Sequence, residues 1–274
     1  MTDAVPLFVY HSVSEHPEPW LAPLTVTPQA FADQLDIITS AGRTVIPLRR
    51  LVAALRGGPP LPAHCAVLTF DDGYADFYWA VAQVLSDRDL PATLYVTTGA
   101  VHVPGRPADG SLLPPAPMLS WRQITNLDAL GIEIGGHSRT HAQLDTLRGR
   151  RLDDELDGCK RELEDAVGHP VTAFAYPGGY ADPVVRRRAH RAGWTSGALA
   201  GSAFSSAGDD PMRIARLRVR ADTGRETFQA WAQGLGAPVA PYPEPLRDKG
   251  WRAYRRIRAA LGHPVDGEIE RQAK

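Results

Sequence analysis

The sequence predicts an α/β fold in which short buried strands alternate with amphipathic helices around one parallel sheet. Roughly seven apolar runs of strand length are separated by helical patterns, and successive strand–helix–strand units build parallel sheets through right-handed crossovers. The 274 residues suffice for one large domain with a sizeable core. The pattern favours a distorted or incomplete (β/α)7 barrel, in which chemistry is placed at the carboxyl ends of the strands.

The first part of the chain already shows this alternation. Thr27 is a typical N-cap and Pro28 a typical first-turn residue, so they mark a helix start, and Gly42 marks its end. The elements predicted before residue 60 are a strand over 6–11, that helix, a strand over 44–48 and a helix over 51–55.

The next strand carries the first functional signal. Its apolar run, residues 66–68, leads into the adjacent carboxylates of Asp71 and Asp72 and then Gly73. A buried strand of this kind presents acids at the mouth of a sheet or barrel. Two neighbouring carboxylates repel, so a metal, a shared proton or a cation must make the pair tolerable. Taken alone, the stretch could also be an Asp-Asp-Gly turn.

A pair of histidines supplies the second signal. His137 and His141 follow the apolar run 132–134, and residues at this spacing share one face if they form a helical turn. Two imidazoles and a carboxylate from elsewhere can then hold a divalent ion with open positions. Alone, such a pair could equally be surface or core histidines. An acidic pair and a histidine pair, each ending its own strand, together favour a metal site.

The rest of the chain continues the alternation. Residues 99–117 lack periodicity and are interpreted as a flap near the substrate groove, with disorder as the alternative. Cys159 falls on the apolar side of a long helix and is expected to be a buried thiol. The other predicted elements are helices over 75–86, 151–167 and 182–191, helices capped by Ser120 and Thr223, and strands over 92–97, 171–176, 194–199 and 213–219.

The chain is divided into a catalytic domain over residues 1–235 and a tail over 236–274. The tail is Pro-rich over 238–245 and then forms a basic helix over 249–261. We expect this helix to pack back on the domain, with contact to an anionic membrane surface or a partner as the alternative.

Composition excludes some functions. The 30 basic and 31 acidic side chains nearly cancel, which argues against a general nucleic-acid binder. The 2 cysteines, Cys65 and Cys159, fit no metal-site spacing and give no disulfide framework. No secretory signal and no membrane-spanning stretch is seen, which predicts a cytoplasmic, reducing location.

The two functional stretches resemble a known family. Residues 69–73 (TFDDG) and 137–141 (HSRTH) are similar to the first two motifs of the polysaccharide deacetylases, the NodB-homology or carbohydrate esterase 4 family. The resemblance covers roughly residues 5–220 and implies a NodB-like barrel. It also implies roles for four side chains, with Asp71 as the catalytic base and the metal held by Asp72, His137 and His141.

The family's third motif, Arg-x-Pro-x-Gly, is only partly present in residues 174–179. Its proline and final glycine match, but the arginine that pairs with the base in many members is Ala175 here. The form F-A-Y-P-x-G resembles a sub-group that includes the poly-N-acetylglucosamine deacetylases. The resemblance makes the backbone N–H of Gly178 the oxyanion donor. The candidate substrate-binding residues of this segment are Tyr176, Pro177 and Tyr180.

The family's last motif supplies a leaving-group acid as Leu-x-His, and residues 213–220 contain no histidine. In a strand, Arg216 and Arg218 point the same way. Our hypothesis is that Arg216 replaces the missing charge partner of Asp71. The leaving-group acid is then unassigned. His11 is the best candidate, because the Tyr-His pair of a similar sub-group places its histidine in the active site.

The sequence therefore predicts a metal-dependent hydrolase that removes an N-acetyl or other N-acyl group from an amino sugar, a glycan or a glycoconjugate. The reaction needs an activated water, a polarised carbonyl and a proton for the leaving amine. Zn²⁺ is the expected ion, and Co²⁺ or Ni²⁺ would also fit. The alternatives are an amide hydrolase of a non-sugar substrate and a non-catalytic carbohydrate-binding relic. The relic is suggested by Ala175 and by the absent histidine.

Overall fold

The computed structural model describes residues 4–104, 111–242 and 246–261, and a curled parallel sheet lies at its centre. Seven strands follow one another across this sheet, and each pair of neighbours is parallel because helices connect them. The strands in the described ranges are β1 (Leu7–Tyr10), β2 (Ser12–Val13), β3 (Thr25–Val26), β4 (Thr44–Val45), β5 (Cys65–Phe70), β6 (Thr93–Val96), β7 (Glu133–Gly136), β8 (Ala173–Ala175), β9 (Ser196–Ala198) and β10 (Leu217–Arg218).

The strand order is β10-β1-β5-β6-β7-β8-β9, with β4 added beside β5. The two ends of this path approach each other, because a parallel bridge joins Ala198 of β9 to Ile214, just before β10. The sheet thus forms an incomplete barrel. This arrangement confirms the predicted α/β class and the distorted (β/α)7 barrel.

Helices cover the outside of the sheet. They are α1 (Pro28–Ser40), α2 (Leu48–Leu55), α3 (Ala82–Asp87), α4 (Trp121–Ala129), α5 (Arg150–Asp153), α6 (Cys159–Val167), α7 (Pro183–Arg191), α8 (Arg225–Ala232) and α9 (Leu246–Ala260). Segments of π-helix, Phe77–Val81 and Asp154–Gly158, lead into α3 and α6. Among the helices so described, none combines the length and the apolar character that crossing a bilayer requires.

Alternation along β5 positions the site. Val67 packs inside the barrel, whereas Leu68 and Phe70 pack against the helices outside it. Successive strand residues point to opposite faces, so Asp71 is directed to the inside, at the carboxyl end of the barrel. Cys159 is fully buried, as expected from its place on the apolar side of the long helix.

Some boundaries differ from the predictions for local reasons. Thr223 does not cap α8, since its hydroxyl accepts a hydrogen bond from the Arg220 N–H at 2.9 Å and Gly224 takes the cap position. The strand expected over 213–219 is reduced to β10, because Ile214 pairs with β9 instead of with β1. Parts of the flap (105–110) and of the tail (243–245 and 262–274) lie outside the described residues.

Candidate active site

Two carboxylates lie at the carboxyl end of β5. The Asp71 N–H continues the sheet by donating to the Tyr10 carbonyl at 2.9 Å. Asp72 and Gly73 then adopt left-handed φ angles of 75° and 89°, which turn the chain sharply. Asp71 and Asp72 are only 2% and 4% exposed. The turn lets the two acids meet different partners although they are neighbours in sequence.

Arg216 is the partner of Asp71. Its Nη1 and Nη2 atoms donate to Oδ1 and Oδ2 of Asp71, each at 2.7 Å, and its Nε donates to the Leu199 carbonyl at 2.7 Å. Burial alone would raise the pKa of Asp71, but the Arg216 guanidinium outweighs it and lowers that pKa. Asp71 is therefore charged at neutral pH. The contact proposed from the sequence between Arg216 and Asp71 is present.

The two histidines lie in the loop after β7. The loop is not helical, since Ser138 and His141 have left-handed φ angles of 61° and 66°, so the expected helical turn is wrong. The imidazoles of His137 and His141 nevertheless meet, with ring centroids 5.0 Å apart. The His141 N–H donates to the Ser138 hydroxyl at 3.0 Å, which helps to hold this turn. The backbone, and not helical spacing, brings the rings together.

Asp72, His137 and His141 form a group that fits a divalent ion. The Nε2 atoms of both histidines lie 3.3 Å from Oδ1 of Asp72. Within the described ranges this buried oxygen accepts no hydrogen bond. Ligand atoms held about 2.1 Å from a tetrahedral or octahedral ion are about 3.0–3.4 Å apart, so the spacing matches a shared cation.

The tautomer of His137 fits the same purpose. Its Nδ1 lies 2.9 Å from the carbonyl oxygen of Ala175, which can only accept, so Nδ1 carries the proton. The lone pair is then on Nε2, facing Asp72, as in histidines that bind metals.

Glu155 fixes the loop between the two histidines, a role that the sequence analysis missed. Its Oε2 accepts from the N–H groups of Arg139 and Thr140 at 3.0 and 2.8 Å, and its Oε1 accepts from the Thr140 hydroxyl at 2.6 Å. It lies in the π-helical segment Asp154–Gly158, and such segments are frequent at functional sites. The available signal was a carboxylate on the apolar side of a helix.

The third motif follows β8. The side chain of Ala175 is small, but its carbonyl is the acceptor for His137. Gly178 and Gly179 adopt left-handed φ angles of 62° and 76°. A Cβ atom on Gly179 would lie 2.2 Å from the backbone nitrogen of Ala200, so this turn requires glycine. The oxyanion role of Gly178 stays a prediction.

The side chains of Tyr176 and Pro177 are both buried, and their substrate-binding roles stay predictions. The Tyr176 ring continues the strand alternation into the core, and its hydroxyl donates to the Met212 carbonyl at 3.2 Å. Tyr180 is half-buried. One face of its ring is covered by the Arg255 guanidinium, 4.0 Å from the ring centroid.

His11 lies directly after β1 and is buried close to both acids. Burial lowers the pKa of His11 to about 4, although Asp72 and Asp71 raise it, and Arg218 and Arg216 lower it further. A neutral imidazole is a far weaker proton donor than the imidazolium, which argues against His11 as the leaving-group acid. That role and a contact with substrate both stay predictions.

Asp76 ties the His11 segment to the helix that follows TFDDG. Its Oδ2 accepts hydrogen bonds from the Ser12 hydroxyl and from the Val13 N–H, the latter at 3.1 Å. Burial raises the pKa of Asp76 to about 6, although these two donors lower it. This buried carboxyl was also missed by the sequence analysis.

The fold and the site together define a barrel hydrolase with a buried group of side chains able to bind a metal ion. The chain belongs to the polysaccharide deacetylase family, whose family model matches residues 58–197. This family, carbohydrate esterase 4, acts on the N-acetyl amide bonds of sugars.

Individual relatives agree with this membership. YxkH of Bacillus subtilis (strain 168), a candidate polysaccharide deacetylase, is 21% identical over 231 residues, which are 84% of this chain and 77% of YxkH. The poly-beta-1,6-N-acetyl-D-glucosamine N-deacetylase of Escherichia coli (strain K12) is 36% identical over 69 residues, which are 25% of this chain and 10% of that enzyme. IcaB from Ammonifex degensii superposes with a TM-score of 0.73 at 25% identity, covering 85% of this chain and 98% of IcaB.

Replacing Arg216 with Met should destabilise the fold strongly, because Asp71 would be left buried without its cation. Breaking a buried ion pair from one side costs about 3–5 kcal/mol. The double variant Asp71→Asn/Arg216→Met should recover much of that loss, since no charge is then stranded. Urea unfolding of both variants measures the difference, and a stable Arg216→Met single variant would contradict the dependence on this pair.

Replacing Glu155 with Gln should loosen the histidine loop. The glutamine NH₂ group cannot accept a hydrogen bond, so at least one of the N–H and O–H groups that now donate to the carboxylate would lose its acceptor. We expect a loss of about 1–3 kcal/mol in the free energy of unfolding and a metal affinity weaker by about 10–100-fold. Urea unfolding and calorimetric titration with Zn²⁺ measure these two quantities.

Glu162→Gln is the matched control for this change. Glu162 pairs with the Arg139 side chain at 2.9 Å from a more exposed position on the same long helix, and such a pair contributes about 0–1 kcal/mol. Equal effects of the two substitutions on Zn²⁺ binding would show that Glu155 has no special role in holding the loop.

Replacing Asp76 with Asn should change how stability depends on pH. The folded pKa of Asp76 lies above its ordinary value, so the folded protein binds more protons and the wild type loses stability as pH rises through about 4 to 7. Asn does not titrate, so the variant does not lose this part of its unfolding free energy as pH rises. The advantage of the variant in unfolding free energy should grow over that interval and then level off, and a constant difference across pH would refute the assignment.

Proposed function

We propose that this chain removes the acetyl group from an N-acetylated amino sugar within a glycan or glycoconjugate. The observation that supports this best is a charged Asp71, held by Arg216, beside a separate Asp72-His137-His141 group. A hydrolase of this kind needs a base that lies next to the metal-binding group without being consumed as a ligand.

We assign the role of that base to Asp71. Its Oδ2 is 4.0 Å from Nε2 of His137, and both of its oxygens already accept from Arg216. Asp72, His137 and His141 would hold the divalent ion, Zn²⁺ by their chemistry or else Co²⁺ or Ni²⁺, which would polarise the acetyl carbonyl and activate water. Asp71 takes the proton from the attacking water.

Two further steps remain for this chain's own groups. The N–H of Gly178 would donate to the oxygen that becomes negative in the transition state, since a backbone donor survives the side-chain change at Ala175. Because burial keeps His11 neutral, we assign the return of the proton to the leaving amine to Asp71, which has just received it. His11 would then contact the substrate.

The interpretation as a non-catalytic relic is weakened, because the function of the missing third-motif arginine is supplied elsewhere. Arg216 provides the cation beside Asp71. Ala175, which stands at the position of that arginine, still contacts His137 through its backbone carbonyl. Similarity to the Escherichia coli poly-beta-1,6-N-acetyl-D-glucosamine N-deacetylase supports a sugar substrate over a non-sugar amide. A cytoplasmic location stays a prediction that cell fractionation would test.

The decisive experiment is an assay of amine release from N-acetylglucosamine oligomers by the Zn²⁺-loaded protein, with the monomer, lipid and nucleotide conjugates and a simple aryl acetamide in parallel. Asp71→Asn should reduce kcat by about 10²–10⁴-fold, the usual contribution of a general base, and still bind Zn²⁺. His137→Ala should lose Zn²⁺ binding. Chelation should abolish activity, and added Zn²⁺ should restore it.

Some outcomes would overturn the proposal. Full activity of Asp71→Asn would remove the base from its role. A protein that binds no divalent ion and releases no amine from any sugar would favour the relic. Hydrolysis confined to the aryl acetamide would favour an amide hydrolase of another substrate class.

A further inference from the structure

A buried ion pair attaches the C-terminal helix α9 to the loop that carries His141. Nη2 of Arg255 lies 2.8 Å from both carboxylate oxygens of Asp145, and these two residues are 1% and 0% exposed. Asp145 lies shortly after His141, in the 3-10 turn Leu144–Thr146. Because both charges are removed from water, the pair is tolerated only in good geometry. The loop and the helix therefore keep one relative position.

The same arginine contacts the loop that carries Gly178. Its Cζ atom lies 4.0 Å from the centroid of the Tyr180 ring, within the range of a cation–π interaction. Beside this contact, Oδ2 of Asp182 lies 3.6 Å from Nη1 of Arg256, while Oδ1 of Asp182 caps α7. Helix α9 is thus attached to the histidine loop and to the loop after β8.

The position of His141 depends on such contacts more than that of His137 does. His137 directly follows β7, and its Nδ1 is hydrogen-bonded to the Ala175 carbonyl. His141 lies further along an irregular loop and has a left-handed φ angle of 66°, which its neighbours must enforce. Glu155 holds the loop before His141, and Asp145 holds it after His141.

We propose that Arg255 is a positioning residue for the candidate metal site. Through Asp145 it fixes His141, and through Tyr180 it fixes the turn that carries Gly178. What these groups do rests on the proposed function. The proposal gives a part in the site to a helix that lies beyond residues 58–197, the segment that matches the family model.

Replacing Arg255 with Met tests this role in the full chain. Calorimetric titration with Zn²⁺ should show an affinity weaker by about 10–100-fold, the usual effect of losing a contact behind a metal ligand. The double variant Asp145→Asn/Arg255→Met strands no charge, so it should regain much of the unfolding free energy that the single variant loses. Its Zn²⁺ affinity should stay low, because the loop is still detached from α9. A double variant that regains both quantities would show that the pair serves stability alone.

Arg43→Met is the matched control for lost stability. Arg43 lies just before β4, at the end of the barrel opposite the site, and donates to the carbonyls of Ala4 and Cys65 at 3.1 Å and of Ala232 at 2.6 Å. Its replacement should lower the unfolding free energy and leave Zn²⁺ affinity unchanged. An equal loss of Zn²⁺ affinity in Arg43→Met and Arg255→Met would overturn the proposal.

Amide hydrogen exchange of the wild type measures the same coupling without a substitution. Coupling between two sites is reciprocal, so an ion that fixes His141 should also make local opening of α9 rarer. Exchange in α9 should slow on addition of Zn²⁺ relative to exchange in α2, which packs at the far end of the barrel. An unchanged ratio of the two rates would contradict the coupling.

The outcomes separate this proposal from the proposed function, because affinity and exchange are measured without turnover. A chain that binds Zn²⁺ with the expected dependence on Arg255 and releases no amine from any sugar would contradict the deacetylase activity and support the role of α9. An active deacetylase whose Zn²⁺ affinity is the same in Arg255→Met would contradict only the role of α9.

Discussion

The buried ion pair between Asp71 and Arg216 constrains the whole barrel mouth. Neither side chain has access to water, so their desolvation is offset only by good geometry, and four polar atoms meet in two bonds of 2.7 Å. Arg216 lies just before β10 and Asp71 just after β5, on either side of β1. The pair can form only if these three strands are in register, which makes the position of Asp71 a property of the fold.

The group of Asp72, His137 and His141, which could hold a metal ion, depends on backbone segments held in unfavourable conformations. Asp72, Ser138 and His141 all have left-handed φ angles, and they account for three of the five such non-glycine residues in the described ranges. Conformations of this kind cost roughly 1–3 kcal/mol each and persist only where neighbours over-determine them. The three hydrogen bonds of Glu155 and the one from His141 to Ser138 supply that support. The ligand atoms therefore converge through contacts of the protein itself.

Sequence reasoning succeeded where periodicity alone decides the outcome. The strand before Asp71 follows from a short apolar run, and alternation with period two places Arg216 and Arg218 on one side of the last predicted strand. It failed where tertiary contacts decide. The spacing of His137 and His141 fits a helical turn, but a loop with left-handed residues gives the same meeting of rings. The alternation that ends β8 directs the Tyr176 ring into the core, and its predicted contact with the substrate stays a prediction. The pKa of His11 depends on burial, which no local pattern reveals.

The two departures from the family motifs have one explanation. Arg216 lies 5.5 Å from the ring of Tyr95, and Ala175 belongs to the same buried cluster as Tyr95. An arginine at both positions would place two guanidinium groups in one small interior beside a single carboxylate, which like-charge repulsion and desolvation disfavour. A small residue in the third motif and a cation just before the last strand are thus complementary changes. Asp71 has a cationic partner although neither motif, examined separately, contains that partner in the usual place.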